Sequence, residues 1–196
     1  MNDFVRLISE KRLDKYGGIS KAELYWYNIK LCECFYPSLN CLEVVLRNKM
    51  DLVLSKYLGD NWICKFTEID SAVCKDDLIS ELNLGFWTRL FLSEFSGVIW
   101  NKHPSALQEI FEFSKSPPRL NVICGKMNNI RFHGRNKIFH YGCLLPSCGA
   151  KMPPEHIHNL IYKFIRDMGG NHIAKDLQKI DNFNNVFVEG KKRGYL

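Results

Sequence analysis

The 196-residue sequence predicts an all-α protein, and three observations lead to that fold class. No stretch alternates apolar and polar residues long enough to form a half-buried strand. Apolar residues instead recur three and four positions apart along most of the chain. Residues that begin or end helices, such as Pro37 and Gly59, stand between these periodic segments. We therefore expect a single helical domain over residues 1–196, with its core at about 20–180 and a solvated basic tail at 190–196.

Two amphipathic helices are predicted in the first third of the chain. Ser20 and Glu23 have the spacing of a capping box ahead of the first helix, which ends at Pro37. The second helix follows almost at once and closes at Gly59. The apolar stripes are Leu24, Tyr27, Leu31, Cys34 and Phe35 on the first helix, and Leu42, Val45, Leu46, Met50, Val53, Leu54 and Tyr57 on the second.

Shorter elements are predicted in the middle of the chain. Residues 59–75 form a less regular connection pinned by Trp62, and residues 76–92 form a helix that is broken near Gly85. Another short helix begins at Pro104. Three further tryptophans are interpreted as core anchors, in preference to platforms for base stacking. They are Trp26, Trp87 and Trp100.

The last third of the chain is predicted to hold three more helices. Ser116-Pro117-Pro118 opens the first, which runs to about His140. Pro153-Pro154 opens the second, which ends before Gly169. The third covers about 171–180, and the residues after it are expected to be extended or loose.

Composition narrows the classes of function. Apolar residues make up 46 % and charged residues 24 % of the chain, as in an ordinary soluble globular protein. A net charge of +6 favours an anionic partner such as a nucleic acid. No apolar run reaches membrane-spanning length and no signal peptide begins the chain, so we expect a cytoplasmic protein without a membrane partner. Eight cysteines without a C-x-x-C spacing are interpreted mostly as small apolar core residues, with no disulfide framework and no metal site.

The segment 128–140 is polar and basic where a helix would otherwise present an ordinary surface. Guanidinium groups bind phosphate in bidentate fashion, and imidazoles transfer protons near neutral pH, so this segment suits a phosphodiester. Arg135 and His140 nevertheless lie about 140° apart on an ideal helix. A shared site therefore needs a distorted helix end or a second subunit, and an ordinary solvated face stays open. At 100° per residue one stripe holds Asn129, His133, Asn136 and His140, and the neighbouring stripe holds Arg131 and Arg135.

Seven blocks of the sequence, in order, carry a resemblance to a known family. The blocks are Leu24-Tyr25-Trp26-Tyr27-Asn28; Tyr36-Pro37-Ser38-Leu39-Asn40 with Leu42-Glu43-Val44; Leu46-Arg47-Asn48-Lys49; Trp62; Leu78-Ile79-Ser80-Glu81-Leu82 with Gly85-Phe86-Trp87; Trp100; and Arg135-Asn136-Lys137-Ile138-Phe139-His140. This set is similar to the Abi-like (abortive infection) family of the wider HEPN superfamily, and it covers about 20–165. The superfamily signature is Arg, four to six residues and then His, often with Asn directly after the Arg. Arg135-Asn136 and His140 match that signature.

The resemblance implies a HEPN-like helical bundle with additional helices, commonly dimeric, in which two motifs face each other across a cleft. It implies a metal-independent endoribonuclease that acts as an abortive-infection or toxin-type effector and needs no cofactor. The ribose 2′-OH would attack the adjacent phosphate, with His140 as general acid/base, Arg135 holding the phosphate and Asn136 orienting the histidine or the substrate. The partners so implied are RNA (tRNA or mRNA), a second copy of the chain, and an antitoxin or inhibitor protein.

Further contacts to RNA are assigned around this motif, although a plain surface role stays equally open for Arg47-Asn48. The chain departs from the family pattern at Gly134, where Leu is usual, and after His140, where Tyr141-Gly142-Cys143 replace His, Glu and Pro. These departures keep two alternatives open, a non-catalytic RNA-binding or regulatory module and a helical interaction protein whose motif shapes a dimer interface. The residues assigned to RNA binding are Arg131, His133, Lys137, Arg47, Asn48 and Tyr141.

Overall fold

A computed structural model describes residues 3–17, 20–67, 75–112 and 119–196. Within these ranges the chain is helical and contains no strand, which confirms the all-α prediction. None of the described helices is long and apolar enough to cross a membrane. The predicted helix opening at Ser116-Pro117-Pro118 lies outside the described residues.

The helices follow one another with short connections. They are α1 Asp3–Ile8, α2 Glu10–Leu13, α3 Lys21–Glu33, α4 Tyr36–Leu58, α5 Lys75–Glu81, α6 Leu84–Arg89, α7 Pro104–Ile110, α8 Leu120–Asn129, α9 Asn136–Phe139, α10 Pro154–Asp167, α11 Asn171–Ile180 and α12 Phe183–Lys192. Short 3₁₀ turns cover Trp62–Lys65, Ser93–Phe95 and Pro146–Cys148, and π-helical turns cover Ser96–Trp100 and Ile130–Arg135.

Helix α4 is the centre of the fold. Its 23 residues span about 35 Å, and Leu42, Leu46, Met50, Val53 and Leu54 of its apolar stripe are buried, while Val45 and Tyr57 are half-buried. Helix α10 packs along it, and α7 and α11 cover other parts of its surface. Gly59 ends it with a φ of 87°, as the sequence predicts. Pro37, predicted to end the first helix, lies instead in the first turn of α4, and α3 ends earlier, at Glu33.

Two other local predictions differ from the structure. Helix α3 begins directly after Ser20, but the Ser20 side chain makes no capping hydrogen bond, because packing of the apolar face suffices to hold the helix end. The break predicted near Gly85 falls two residues earlier. Asn83 caps α6 there by accepting hydrogen bonds from the backbone N–H groups of Gly85 and Phe86, at 2.8 and 3.3 Å.

The residues after 180, expected to be extended or loose, form α12. Its residues Phe183, Val186 and Phe187 recur at helical spacing and are buried. The basic residues 191–193 are exposed, and Tyr195 beyond them is half-buried and donates a hydrogen bond to Glu23 at 3.1 Å. The predicted solvated tail is therefore helical at its start and packed on the core at its end.

Asp181 joins α10 to α12 through both carboxylate oxygens. One oxygen accepts hydrogen bonds from His158 Nε2 at 2.7 Å and from the Tyr162 hydroxyl at 2.6 Å. The other accepts from the Phe183 backbone N–H at 2.8 Å. Burial alone would raise the pKa of Asp181, but these three donors outweigh it and hold the pKa below its usual value.

The tryptophans and cysteines follow the predictions only in part. Trp62, Trp87 and Trp100 are buried, whereas Trp26 is 56 % exposed, so its prediction as a core anchor is wrong. Among the free thiols that the structure describes, Cys34 alone is buried and the others are half-buried, so the cysteines line the edge of the core more than its interior. Cys143 and Cys148, which the sequence analysis did not pair, form a disulfide.

Candidate functional site

The Arg135…His140 motif lies on a helix that changes its winding. Helix α8 continues into a π-helical turn over Ile130–Arg135 and then into the short α9. A π-turn takes more residues than an α-helical turn, so a spacing of 100° per residue does not hold across it. The predicted alignment of Asn129 and His133 with Asn136 and His140 is therefore not retained, although all four side chains are at least partly exposed.

Gly134 lies inside this π-turn because α10 approaches the backbone closely. A Cβ atom at Gly134 would lie 2.8 Å from Cγ2 of Ile157, a residue that is completely buried. The π-turn packs on both α10 and α6. Any side chain larger than hydrogen needs a shift of Ile157 or of the backbone here, so glycine at position 134 has a packing reason.

Three arginines lie around the start of α6, and we call Arg47, Arg131 and Arg135 the arginine cluster. Glu43, a half-buried carboxylate on α4 one turn before Arg47, lies near Arg47 and Arg135. Burial raises the pKa of Glu43, although Arg135, the backbone N–H of Leu84 and Arg47 all act to lower it. Arg131 lies beside Gly85 of α6. The structure thus brings Arg47 of α4 together with the motif.

The guanidinium groups of the cluster keep unused hydrogen-bonding capacity. The Nε of Arg47 is buried and makes no hydrogen bond with the described residues. Arg135 donates only a long bond of 3.4 Å, to the Asn136 side-chain oxygen, and lies over the Phe139 ring at 5.1 Å. Arg131 lies over the Phe132 ring at 5.0 Å. Such stacked, half-buried guanidiniums are held in place with donors left for an anion.

His140 stands apart from the arginine cluster at the end of α9. Its ring is exposed, and no residue that the structure describes makes a hydrogen bond to it. Helix α9 is α-helical between Arg135 and His140, so the two side chains leave the helix on different sides, as the 140° separation predicts. The π-helical turn ends at Arg135, so only the residues of α9 separate the two positions.

The helix ends directly after His140 in a Schellman motif. The Gly142 N–H donates to Lys137 O at 2.6 Å and the Tyr141 N–H donates to Ile138 O at 3.3 Å. The residue in the left-handed position is Tyr141, with a φ of 58°, where glycine is usual. Its ring is 76 % exposed. Backbone strain of this kind is concentrated at functional sites.

Asn28 of α3 fixes the segment that follows His140. Its buried side-chain amide donates to Gly142 O at 3.1 Å and accepts from the Leu144 N–H at 2.8 Å. It also donates to the Tyr16 hydroxyl at 3.2 Å. One side chain therefore satisfies two backbone groups more than 100 positions along the chain and sets where α9 ends.

The other residues assigned to RNA binding occupy the surface around the motif. Lys137 is half-buried and donates to Cys143 O at 3.3 Å, so it also ties α9 to the following segment. His133 is half-buried in the π-turn. Asn48 is exposed on α4 beside Arg47, and Asn136 is half-buried beside Arg135.

Comparison with family models, with curated proteins and with solved structures finds no match for this chain. Within the described part of the chain no group of three or more His, Cys, Asp or Glu residues is placed to hold a metal ion.

Sequence reasoning missed Glu43, Asn28 and Arg12 as parts of the site. Glu43 precedes Arg47 by four residues, the spacing of an acid–base pair on a helix, and this signal was available. Asn28 interrupts the apolar stripe of α3, which marks a polar side chain with an obligatory partner. Arg12 contacts Tyr141 over a separation of 129 residues, and no local sequence pattern predicts this contact.

Proposed function

We propose that this protein is a metal-independent endoribonuclease of the abortive-infection or toxin type. The observation that carries the proposal is the match of Arg135-Asn136 and His140 to the HEPN signature, together with the arginine cluster, of which Arg47 and Arg135 lie near Glu43. Three guanidinium groups with donors to spare suit the phosphate of an RNA backbone, and the net charge of +6 favours the approach of RNA. The proposed substrates are tRNA or mRNA.

The proposed reaction is an internal transfer at one phosphate. His140 takes the proton of the ribose 2′-OH, the 2′-oxygen forms a bond to phosphorus, and the bond to the 5′-oxygen breaks. Arg135 stabilises the charge that develops on the phosphate oxygens, and Asn136 orients the substrate. The products are a 2′,3′-cyclic phosphate and a 5′-OH, and the departing 5′-oxygen takes a proton from a protonated imidazole.

The proposal includes a homodimer. Arg135 and His140 leave their helix on different sides, so one copy does not place both groups on one phosphate. A second copy across a two-fold axis would present its own motif and complete the constellation. An antitoxin or inhibitor that covers this surface is part of the same proposal.

Cleavage of RNA in the presence of EDTA tests the proposal. The purified protein and its His140→Ala variant are incubated with total RNA and with tRNA, and the product ends are analysed. Cleavage by the wild type alone, with 2′,3′-cyclic phosphate ends, is the expected result. The matched control is His172→Ala, which removes an exposed imidazole on α11 and should cleave like the wild type. Equal cleavage by the His140→Ala variant would refute the proposal.

A non-catalytic RNA-binding module is the second candidate, and the His140 ring favours it. A general base is normally oriented by a third group, and within the described residues nothing hydrogen-bonds this imidazole. This candidate predicts RNA binding that weakens steeply with salt and yields no cleavage product. Binding of equal strength by the wild type and the His140→Ala variant, without cleavage by either, would favour it.

A further inference from the structure

A groove of about 470 Å³ lies between α3 and the end of α9, next to the motif. Five of its twelve lining residues are aromatic, and its volume falls within the range of sites for small organic groups. Tyr16 and Tyr25 line its inner part, whereas Tyr36, Phe139 and Tyr141 are exposed at its edge. The rings that the groove presents to solvent are therefore available to a ligand.

The inner part of the groove is neutral. Burial raises the pKa of Tyr16 to about 12 and that of Cys32 to about 12, so both groups keep their protons at neutral pH. The Asn28 amide already uses both its oxygen and its nitrogen within the chain. A flat, uncharged, aromatic ligand therefore suits this lining better than a charged phosphate group does.

The edge of the groove carries charge of both signs. Arg12 donates to Tyr141 O at 3.3 Å and lies 6.0 Å from the Tyr141 ring, and no described carboxylate forms an ion pair with it. Glu33 is exposed on the opposite side. The Arg12 guanidinium can bind a phosphate, and the Glu33 carboxylate can accept a hydrogen bond from an exocyclic amino group of a base.

The groove adjoins the proposed general acid/base without including it. Phe139 and Tyr141 both line it, and they are the two chain neighbours of His140, whose side chain is not part of the lining. A nucleotide whose phosphate lies at His140 therefore has an aromatic groove next to it for its base. The left-handed backbone at Tyr141 keeps a large ring at this edge, where glycine would fit without strain.

We propose that this groove binds one unpaired base of single-stranded RNA, next to the phosphate held at the motif. The identity of the ligand as RNA rests on the proposed function. Base stacking on aromatic side chains tolerates any base, and the polar groups at the edge give a preference among bases.

Binding of short oligonucleotides tests this proposal. The probes are fluorescein-labelled 2′-O-methyl RNA pentamers, which the proposed reaction does not cleave because the 2′-OH is blocked, and matched pentamers with one abasic position. The variants are Tyr36→Ala and Ile29→Ser, both at exposed positions of the lining. Leu52→Ala is the control, since Leu52 is equally exposed on α4 and is not part of the groove.

We expect Tyr36→Ala to weaken binding of the intact pentamer by about fivefold or more, with an unchanged dependence on salt. Removal of the base should weaken binding of the pentamer to the wild type by a similar factor. It should weaken binding to Tyr36→Ala only slightly. Leu52→Ala should bind like the wild type. Equal affinities of the wild type, Tyr36→Ala and Ile29→Ser for the intact pentamer would overturn the groove as a base site.

The outcome separates this proposal from the proposed function. Cleavage that depends on His140, with pentamer binding that is insensitive to the groove variants, refutes the base site alone. Binding that depends on the groove, without cleavage by any variant, refutes the nuclease and supports the base site. A third outcome, in which sedimentation measures the oligomeric state, would also refute the base site. If the groove variants dissociate a dimer while abasic and intact pentamers bind equally, a second copy covers the groove and the proposal is wrong.

Discussion

Replacing Asn28 by alanine should destabilise the protein and loosen the segment that follows His140. The side chain is 3 % exposed and makes three hydrogen bonds, to Tyr16, Gly142 and Leu144. Leu144 is 1 % exposed, so its N–H loses the one partner it has among the described residues and stays away from water. A buried unsatisfied donor costs about 1–3 kcal/mol, and each of the other two lost hydrogen bonds adds about 0.5 kcal/mol. We expect the free energy of unfolding to fall by about 2–4 kcal/mol.

Urea denaturation and thermal unfolding measure this change. For a chain of this size, a loss of about 2–4 kcal/mol lowers the Tm by about 5–15 °C. Hydrogen exchange should show the local effect, since the amides of residues 142–145 lose their anchor to α3 and should exchange faster than those of α4. Asn185→Ala is the matched control. Its amide contacts only the exposed Asn182, at 2.7 Å, so its stability should change by less than about 0.5 kcal/mol.

The reasoning about Asn28 is wrong if Asn28→Ala stays within about 0.5 kcal/mol of the wild type and the Leu144 amide keeps its protection. In that case water or a shifted backbone satisfies the groups that Asn28 holds. If stability falls but exchange at residues 142–145 is unchanged, Asn28 acts only through packing.

Further substitutions address the packing, strain and acid sensitivity of the fold. Gly134→Ala should cost about 1–2 kcal/mol, because the overpacking against Ile157 exceeds the gain in helix propensity. Gly125→Ala should instead stabilise by about 0.5–1 kcal/mol, since a Cβ there meets nothing within 4 Å. Tyr141→Gly should relieve the left-handed backbone and stabilise by up to about 1 kcal/mol, while RNA binding weakens. Asp181→Asn should cost about 1.5–3 kcal/mol at pH 7, and this difference should shrink as the pH falls, because the lowered pKa of Asp181 stabilises the fold only while the carboxylate is ionised.

Urea denaturation at several pH values checks all of these substitutions. For Gly134, the double variant with Ile157→Ala should remove most of the penalty, and a penalty that persists would point to a cause other than this contact. A loss of more than about 0.5 kcal/mol in Tyr141→Gly would show that the ring stabilises the monomer and that the backbone is not strained. For Asp181, a difference that stays constant from pH 7 to pH 3 would contradict the assigned role of its charge.

Much of the helical layout could be predicted from the sequence because its signals are local. Apolar spacing and the hydrogen bonds of a helix connect residues three and four apart, so a few neighbouring positions suffice to predict the stripe on α4 and its end at Gly59. The start of α7 at Pro104 and of α10 at Pro153-Pro154 were predicted for the same reason. The solvent exposure of Trp26 was not predicted, since the residue type alone does not distinguish an aromatic side chain in the core from one on the surface.

The candidate site likewise has features that the sequence predicts and features that only the packing of the helices sets. The sequence by itself determined which residues are candidates for the chemistry, since Arg135, Asn136 and His140 match the HEPN signature in residue types and spacing. Only the tertiary structure decided how they are held. Glu43 between the arginines, Asn28 on the segment after His140, and Ile157 against Gly134 are contacts between helices far apart in the chain. Such contacts depend on which faces pack together, and local periodicity carries no information about the partner of a face.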